Sequence, residues 1–378
     1  MLFRSVVDNT GASSAQTQAL GALSAAGGDA TITLNRAAAQ NISLTFTSLA
    51  ARSNGGTLNF TSTGTGSTLG VTENVTLTGQ TSVAFLGAGY FYNGTNFAAT
   101  NASANVIAAT LVGTPGAATL GTTTSASLLD VTGPITAQPT GAVGALRFAN
   151  STAANNALTL VDANTLQVNG ILKSGANAGT ISVAAGGTSG SLMPVIGTQD
   201  LIFRTDAAAD VLTLGQYVGI VNNGAAVNVI KSGAGRLELT SPSTYTGNTF
   251  VNQGVLWVNN TATLGTSAGT VTVRPGATLT FSGGNLTVAN PISAAGTIGV
   301  NGTAAVLKAT LSGAITLAGD TVFRSAGGSN GSFDLTNTVN LGAFNANFNL
   351  DGSNTTNVTG VVSGTGSLTK SKIGRAHV

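Results

Sequence analysis

Carboxylates gather at one place in this chain of 378 residues, where TQDLIFRTDAAAD sets Asp200, Asp206 and Asp210 around Arg204. Three carboxylates could contribute to a Ca²⁺ site, and a basic residue beside them could meet the acid group of a polysaccharide. Ca²⁺, however, takes about six to eight oxygens in one place. The plainer reading, aspartates solvated in a turn, is the one adopted. Two further patterns are weaker. Ser367–Lys370 (SLTK) fits the nucleophile pattern S-x-x-K, but its partner motifs S-D-N and K-T-G are missing and it sits in a strand-like phrase. Gly327–Leu335 (GGSNGSFDL) comes near a Ca²⁺-binding nonapeptide yet lacks Gly and Asp at the required offsets, so it reads as a turn. The single histidine is His377 and there is no cysteine. With His377 set aside, Ser/His/Asp catalysis, histidine metal sites and thiolate sites all lack a member. The expectation is a chain with no catalytic residue, no cofactor and no metal.

The elements that would position any such residues are announced by composition. Only 7% of the residues are charged, against roughly a quarter in an ordinary soluble domain. Gly is present 52 times, and Glu occurs only at Glu73 and Glu238. Gly supplies turns with positive φ, Asn tolerates them, and Thr and Val suit strands, so the vocabulary is one of strands and turns. The formal net charge is +2, and Arg36, Arg52, Arg147, Arg204, Arg236, Arg274 and Arg324 are scattered along the chain. Nucleic-acid binding wants a concentrated basic face, which is missing here. No apolar run approaches the ~18 residues of a membrane-spanning helix.

The C-terminal end reads as a cut, and the N-terminal end leaves two readings, a cytosolic protein or a true start that lies upstream. MLFRSVVDNTGASS has no apolar h-region of a secretory leader. The last six residues, Ile373–Val378 (IGRAHV), depart from the preceding composition and back-translate onto the start of a common sequencing adapter. We read residues 373–378 as an artefact and expect the chain to be part of a longer protein.

Short alternating runs recur throughout: Thr31–Leu34, Leu44–Thr47, Thr57–Phe60, Val75–Thr78, Leu158–Val161, Leu237–Leu239, Val255–Val258, Val271–Val273, Thr278–Phe281 and Ile315–Ala318. Period 2 over so few residues is the mark of a half-buried strand. No helical pattern intervenes, so βαβ folds are disfavoured and the choice lies between stacked sandwiches and a solenoid. Like phrases favour the solenoid: VIKSGAGRLEL (Val229–Leu239) and VVSGTGSLTK (Val361–Lys370) both place an apolar pair before a Ser-Gly-x-Gly turn. A parallel β-helix with coils of roughly 20–25 residues would form a rod on the order of 75–90 Å long.

Ser232–Asn260, SGAGRLELTSPSTYTGNTFVNQGVLWVNN, resembles the autotransporter-associated β-strand repeat of passenger proteins. The resemblance rests on Gly233, Gly235, Leu237, Leu239, Thr244, Tyr245, Thr246, Gly247, Thr249, Val251, Gly254, Leu256 and Val258. Ser243 stands where that family usually has Asn. Weaker likeness extends to Leu146–Gly215 and to GYFYNGTNFAAT (Gly89–Thr100). On this basis residues 1–140 are expected to be an irregular N-terminal solenoid region. Residues 141–372 would be regular, with the repeat at 229–260 and the start of another at 361–372. Leu237 and Leu239 would point inward from one strand and Val255 or Leu256 and Val258 or Trp257 from the next, and Tyr245 with Gly247-Asn248 would make the corner. Trp257 is expected in the core, while the exposure of Tyr90 and Tyr92 stays open.

The resemblance implies an all-β, right-handed parallel β-helix and a non-enzymatic, structural or adhesin-like segment of an extracellular or outer-membrane-associated protein. Its partners would be surface glycans, matrix or neighbouring cells, with no nucleic acid, and a membrane β-barrel or sorting segment would follow C-terminally. The alternatives are a β-helix polysaccharide lyase or hydrolase, and a pure spacer stalk.

Overall fold

The computed structural model describes residues 4–37, 40–80, 83–175, 177–261, 263–301, 307–326, 331–350, 355–371 and 375–377. Every alternating run named above lies in a strand or overruns its end by one residue. The alternation becomes burial directly: Arg236–Leu239 and Val255–Val258 each show half-buried and buried residues in turn. Leu256 and Val258 are the inward pair, while Val255 and Trp257 face out. Trp257 therefore leaves the core expected for it. Its indole lies under the Arg236 guanidinium, 4.6 Å from ring centroid to Cζ, and donates Nε1–H to Ser282.

Outside the hairpin region at 84–108 the strands pair in parallel with their counterparts one coil later, and the chain is a parallel β-solenoid. Leu212, Leu237, Leu256, Leu279, Ile298, Phe323 and Phe348 stack rung by rung into one buried column. The rings of Phe323 and Phe348 lie 4.9 Å apart at 13°. Each such side chain contributes about 1.5–3 kcal/mol through burial. Coil length varies, since Leu237 pairs with Leu256 and Leu256 with Leu279, offsets of 19 and 23 residues. Turns that bulge outward absorb the difference. This long stack has a 14-stranded and an 11-stranded wall, and from Leu286 onward it gains a third wall of 5 strands. The two like phrases occupy equivalent rungs: Asn228–Ser232 and Val362–Ser363 lie in one wall, Arg236–Leu239 and Leu368–Lys370 in the other.

The first hundred residues form a second, shorter stack. Arg4–Asp8, Asp29–Arg36, Thr57–Gly64 and Tyr90–Tyr92 pair in parallel as one wall. Gln16–Leu20, Ile42–Phe46 and Glu73–Leu77 make the other. The stacking ends at GYFYNGTNFAAT, which is a hairpin. Asn93 and Gly94 take φ of 49° and 70°, the two positive values of a type I′ turn, and Asn96–Thr100 runs back antiparallel to Tyr90–Tyr92. Val106–Ala108 adds antiparallel to that strand, and the parallel long stack starts at Val112–Thr114.

The short stack lies against the flank of the long one. An apolar seam joins them: Phe91, Phe97 and Ala88 from one side meet Ala145, Leu172, Ile202 and Ile230 from the other. The first coils consequently double the rod side by side and do not lengthen it, so the extended length expected from coil counting is not reached.

Candidate functional site at the seam

The charge cluster that opened the sequence reading lies on this seam, and it is a buried ion-pair network where a solvated turn was expected. Arg204 is 4% exposed. Its Nη1 donates to both carboxylate oxygens of Asp29 at 3.3 and 3.1 Å, its Nη2 to Asp206 at 2.8 Å, and its Nε to the Gly94 carbonyl at 3.3 Å. The ring of Phe91 covers the guanidinium at 4.7 Å. Asp29, from the short stack, also accepts from Thr57 Oγ1 at 2.8 Å and from the Gly233 amide at 3.1 Å. A buried charge without partners costs several kcal/mol, and here each has a full set. Asp200 points elsewhere, to Arg52 at 2.9 Å and to Asn228 Nδ2 at 3.0 Å. Asp210 is buried, accepts from the Ala207 amide at 2.8 Å through Oδ2, and leaves Oδ1 without a partner among the described residues. Burial pushes its carboxyl above the usual range. Among the described residues, no three of His, Cys, Asp or Glu converge as a metal group.

Behind the cluster sit two lysines that the sequence reading passed over. Lys173 and Lys231 are both fully buried inside the long stack. Lys231 Nζ donates to the carbonyls of Ser232, Gly233 and Gln253 at 2.7, 2.7 and 3.2 Å. Lys173 Nζ does the same with Ser174 and Gly175 at 2.6 and 2.7 Å. Each ammonium caps the inward-turned carbonyls of the Ser-Gly turn that follows it. Burial holds Lys231 well below its ordinary value, with Asp29 pulling it part of the way back. Lys173 is lowered by the same cause. The signal was in the sequence as a repeated Lys-Ser-Gly-Ala at 173–176 and 231–234.

The repeat residues form two successive rungs beside this cluster. Leu237, Leu239, Leu256 and Val258 are buried. Tyr245 is the corner, fully buried, its hydroxyl 2.6 Å from Thr249 Oγ1. Thr244 and Thr246 face solvent. Gly233 and Gly254 take φ of 73° and 66°. Gly247 needs no positive φ, and the restriction there is approach: a Cβ would lie 2.3 Å from the Val227 carbonyl oxygen of the coil below. Gly235 is held the same way, its Cβ position 2.5 Å from the carbonyl oxygens of Ala207 and Asp210. Ser367 donates to Asn345 at 2.7 Å, and Leu368–Lys370 is a strand, so Ser367 and Lys370 project to opposite faces and do not meet. Gly327–Asn330 lie outside the described residues, and Gly331–Leu335 is a strand where a turn was expected.

Beside the ion cluster the seam opens into a cleft of about 920 Å³. Arg52–Gly55, Leu86–Ala88 and Tyr90 of the short stack line one side, and strands and turns of the long stack carrying Asn169, Thr198, Gln199, Asn223, Asn228 and Asn248 line the other. Tyr90 is buried, which closes the question left open for it, and its hydroxyl is shifted upward by that burial. Tyr92 is half-buried and donates to the Leu69 carbonyl at 2.9 Å.

Residues 229–258 match the family model of the passenger-associated-transport-repeat. Among curated proteins and among solved structures nothing matches the chain.

Proposed function

We propose that this chain is a segment of an exported passenger, displayed at or released from the surface of a cell with an outer membrane, and that it acts by contact and not by catalysis. The observation that carries the reading is the match at 229–258 lying inside an unbroken parallel stack. The transport-associated repeat is there two successive rungs of a solenoid, Asn228–Ser232 pairing with Thr249–Val251 and Arg236–Leu239 with Val255–Val258. The repeat family fits an exported protein. The adhesin-like role is supported by the surface itself, which is weakly charged and rich in Thr, Ser and Asn. Such a surface suits many weak contacts summed by avidity. A membrane β-barrel or sorting segment in the same protein would anchor it.

The test is protease shaving of intact producing cells that carry an epitope tag in the exposed turn at Gly224, read by immunoblot. Tag signal lost on intact cells, or found in the medium, is the expected result. A tag protected until the cells are lysed would overturn export. The non-catalytic part is tested separately, by incubating the chain with acidic polysaccharides with and without Ca²⁺. Release of new chain ends that disappears in Asp206→Ala or Asp210→Ala would make it a lyase or hydrolase.

A further inference from the structure

We propose that the cleft at the seam binds a neutral oligosaccharide, a reading that rests on the contact function above and gives it a site. The size is right: about 920 Å³ lies in the upper part of the few hundred to ~1,000 Å³ typical of ligand clefts, enough for several sugar rings. Its charge is balanced, because the charged lining residues are Arg52 and Asp200 and these two pair at 2.9 Å. An acidic glycan would therefore find no uncommitted cation among the lining residues, and a basic ligand no uncommitted anion.

What the cleft offers is side-chain amides, two of them held in place. Asn169 Oδ1 accepts from the Val195 amide at 2.9 Å and from Thr198 Oγ1 at 2.7 Å. Asn248 Oδ1 accepts from the Thr270 amide at 3.0 Å. In both, fixing the oxygen fixes the plane of the side chain and leaves Nδ2 with no protein partner among the described residues. The Gln199 side chain is exposed and wholly uncommitted. Planar donors and acceptors of this kind match the vicinal hydroxyls of a sugar, which donate and accept together. Phe250 supplies the apolar floor for a sugar's C–H face. Its ring is half-buried and fixed by Gly55, where a Cβ would lie 2.5 Å from the ring. Groups held by their own hydrogen bonds bind without further ordering, so little affinity is lost on closure.

The site is also composite, since neither stack alone has both walls. Arg204, outside the cleft lining, positions the short stack through Asp29 and so positions the wall that carries Arg52. It acts on binding only through docking.

The experiment uses the whole chain with four probes: β-1,4-glucan, α-mannan and chitin hexamers as neutral ligands and oligogalacturonate as the acidic one, by calorimetry and saturation-transfer NMR. At least one neutral hexamer is expected to bind. Asn248→Ala and Gln199→Ala should each weaken it about tenfold, as losing a hydrogen-bond partner does, with unchanged circular dichroism. Arg204→Ala should abolish binding, while Trp257→Ala on the outer face of the long stack should leave it unchanged. Binding of oligogalacturonate alone, no binding of any neutral hexamer, or binding indifferent to Asn248 and Gln199 would each overturn the proposal. None of these outcomes bears on protease shaving, so the site and the export reading fail separately.

Discussion

The short and long stacks use the same strand grammar, yet they spend their few charges differently. Inside the long stack the charged groups are Lys173 and Lys231, each tied to backbone carbonyls of its own turn, with Asp210 buried close by. The short stack likewise buries Glu73, which accepts from Ser67 Oγ, the Thr68 amide and Thr72 Oγ1, but it differs in placing Asp29 and Arg52 on its flank, where they meet Arg204 and Asp200 of the other. Repetition needs no charge, because identical rungs register through apolar columns and backbone ladders. Docking two unlike surfaces does need it, since an apolar seam by itself sets no position along the flank, whereas a paired guanidinium does.

Removing that pairing should break the contrast most severely. Arg204→Ala leaves Asp29 buried with its main partner gone, a loss of about 3–5 kcal/mol. The short stack should come free of the flank, seen as new proteolytic cleavage within residues 83–112 and a larger radius of gyration, while the long stack keeps its own melting transition. Loss of both transitions together would mean that the stacks are a single cooperative unit.

Leu256→Ala attacks the other side of the comparison. It opens a hole in the buried column between Leu237 and Leu279 and should cost about 2–5 kcal/mol. In a stack whose coils touch only their neighbours, protection from hydrogen exchange should fall at the adjoining rungs and persist at Ile315–Leu317.

Lys231→Met is a smaller change and has a pH signature. An unfolded lysine titrates near 10.5, and the folded value lies lower because of burial. Between the two values the unfolded chain binds more protons, so stability rises with pH across that window and the cost of the buried cation is fully present below it. Lys231→Met should lose about 1–3 kcal/mol from the unsatisfied carbonyls and flatten that alkaline rise. Lys173, shifted in the same direction, keeps part of the slope. Urea midpoints measured across the pH range decide it, and an unchanged slope would place the shift elsewhere.

Tyr245→Phe sharpens the comparison at its finest grain. It deletes the buried hydroxyl at 2.6 Å from Thr249 and should cost about 1 kcal/mol. Such a drop in the urea midpoint of the long stack, with no release of the short one, is the expected result.

The rungs were legible in the sequence because their signal is local: two apolar residues one position apart state which face is buried. Thr31–Leu34 and Leu237–Leu239 could be read from four or three letters. Trp257 was misread because it alternates with buried neighbours and only register tells Val255-Trp257 from Leu256-Val258. The aspartates around Arg204 stood out, but their meaning did not, since the decisive partner, Asp29, lies 175 residues away. Lys173 and Lys231 were visible only as a repeated phrase, and nothing in Lys-Ser-Gly-Ala announces that the ammonium turns inward to its own carbonyls. The cleft belongs to the same class of feature, because its walls come from segments that no sequence pattern connects.

Those long separations also set an order of events. Rungs close over about twenty to thirty residues, whereas the contacts of the seam span 175, 197 and 204 residues, from Asp29 to Arg204, Gly55 to Asn252 and Asp29 to Gly233. Contacts so remote form slowly and after local ones. A chain that emerges gradually therefore builds each stack coil by coil and carries the flank of the short one bare until the rungs at Arg204 and Gly233 exist. Docking follows the rungs it joins, and the interval before it is when the apolar face of Phe91 and Phe97 is open to other chains.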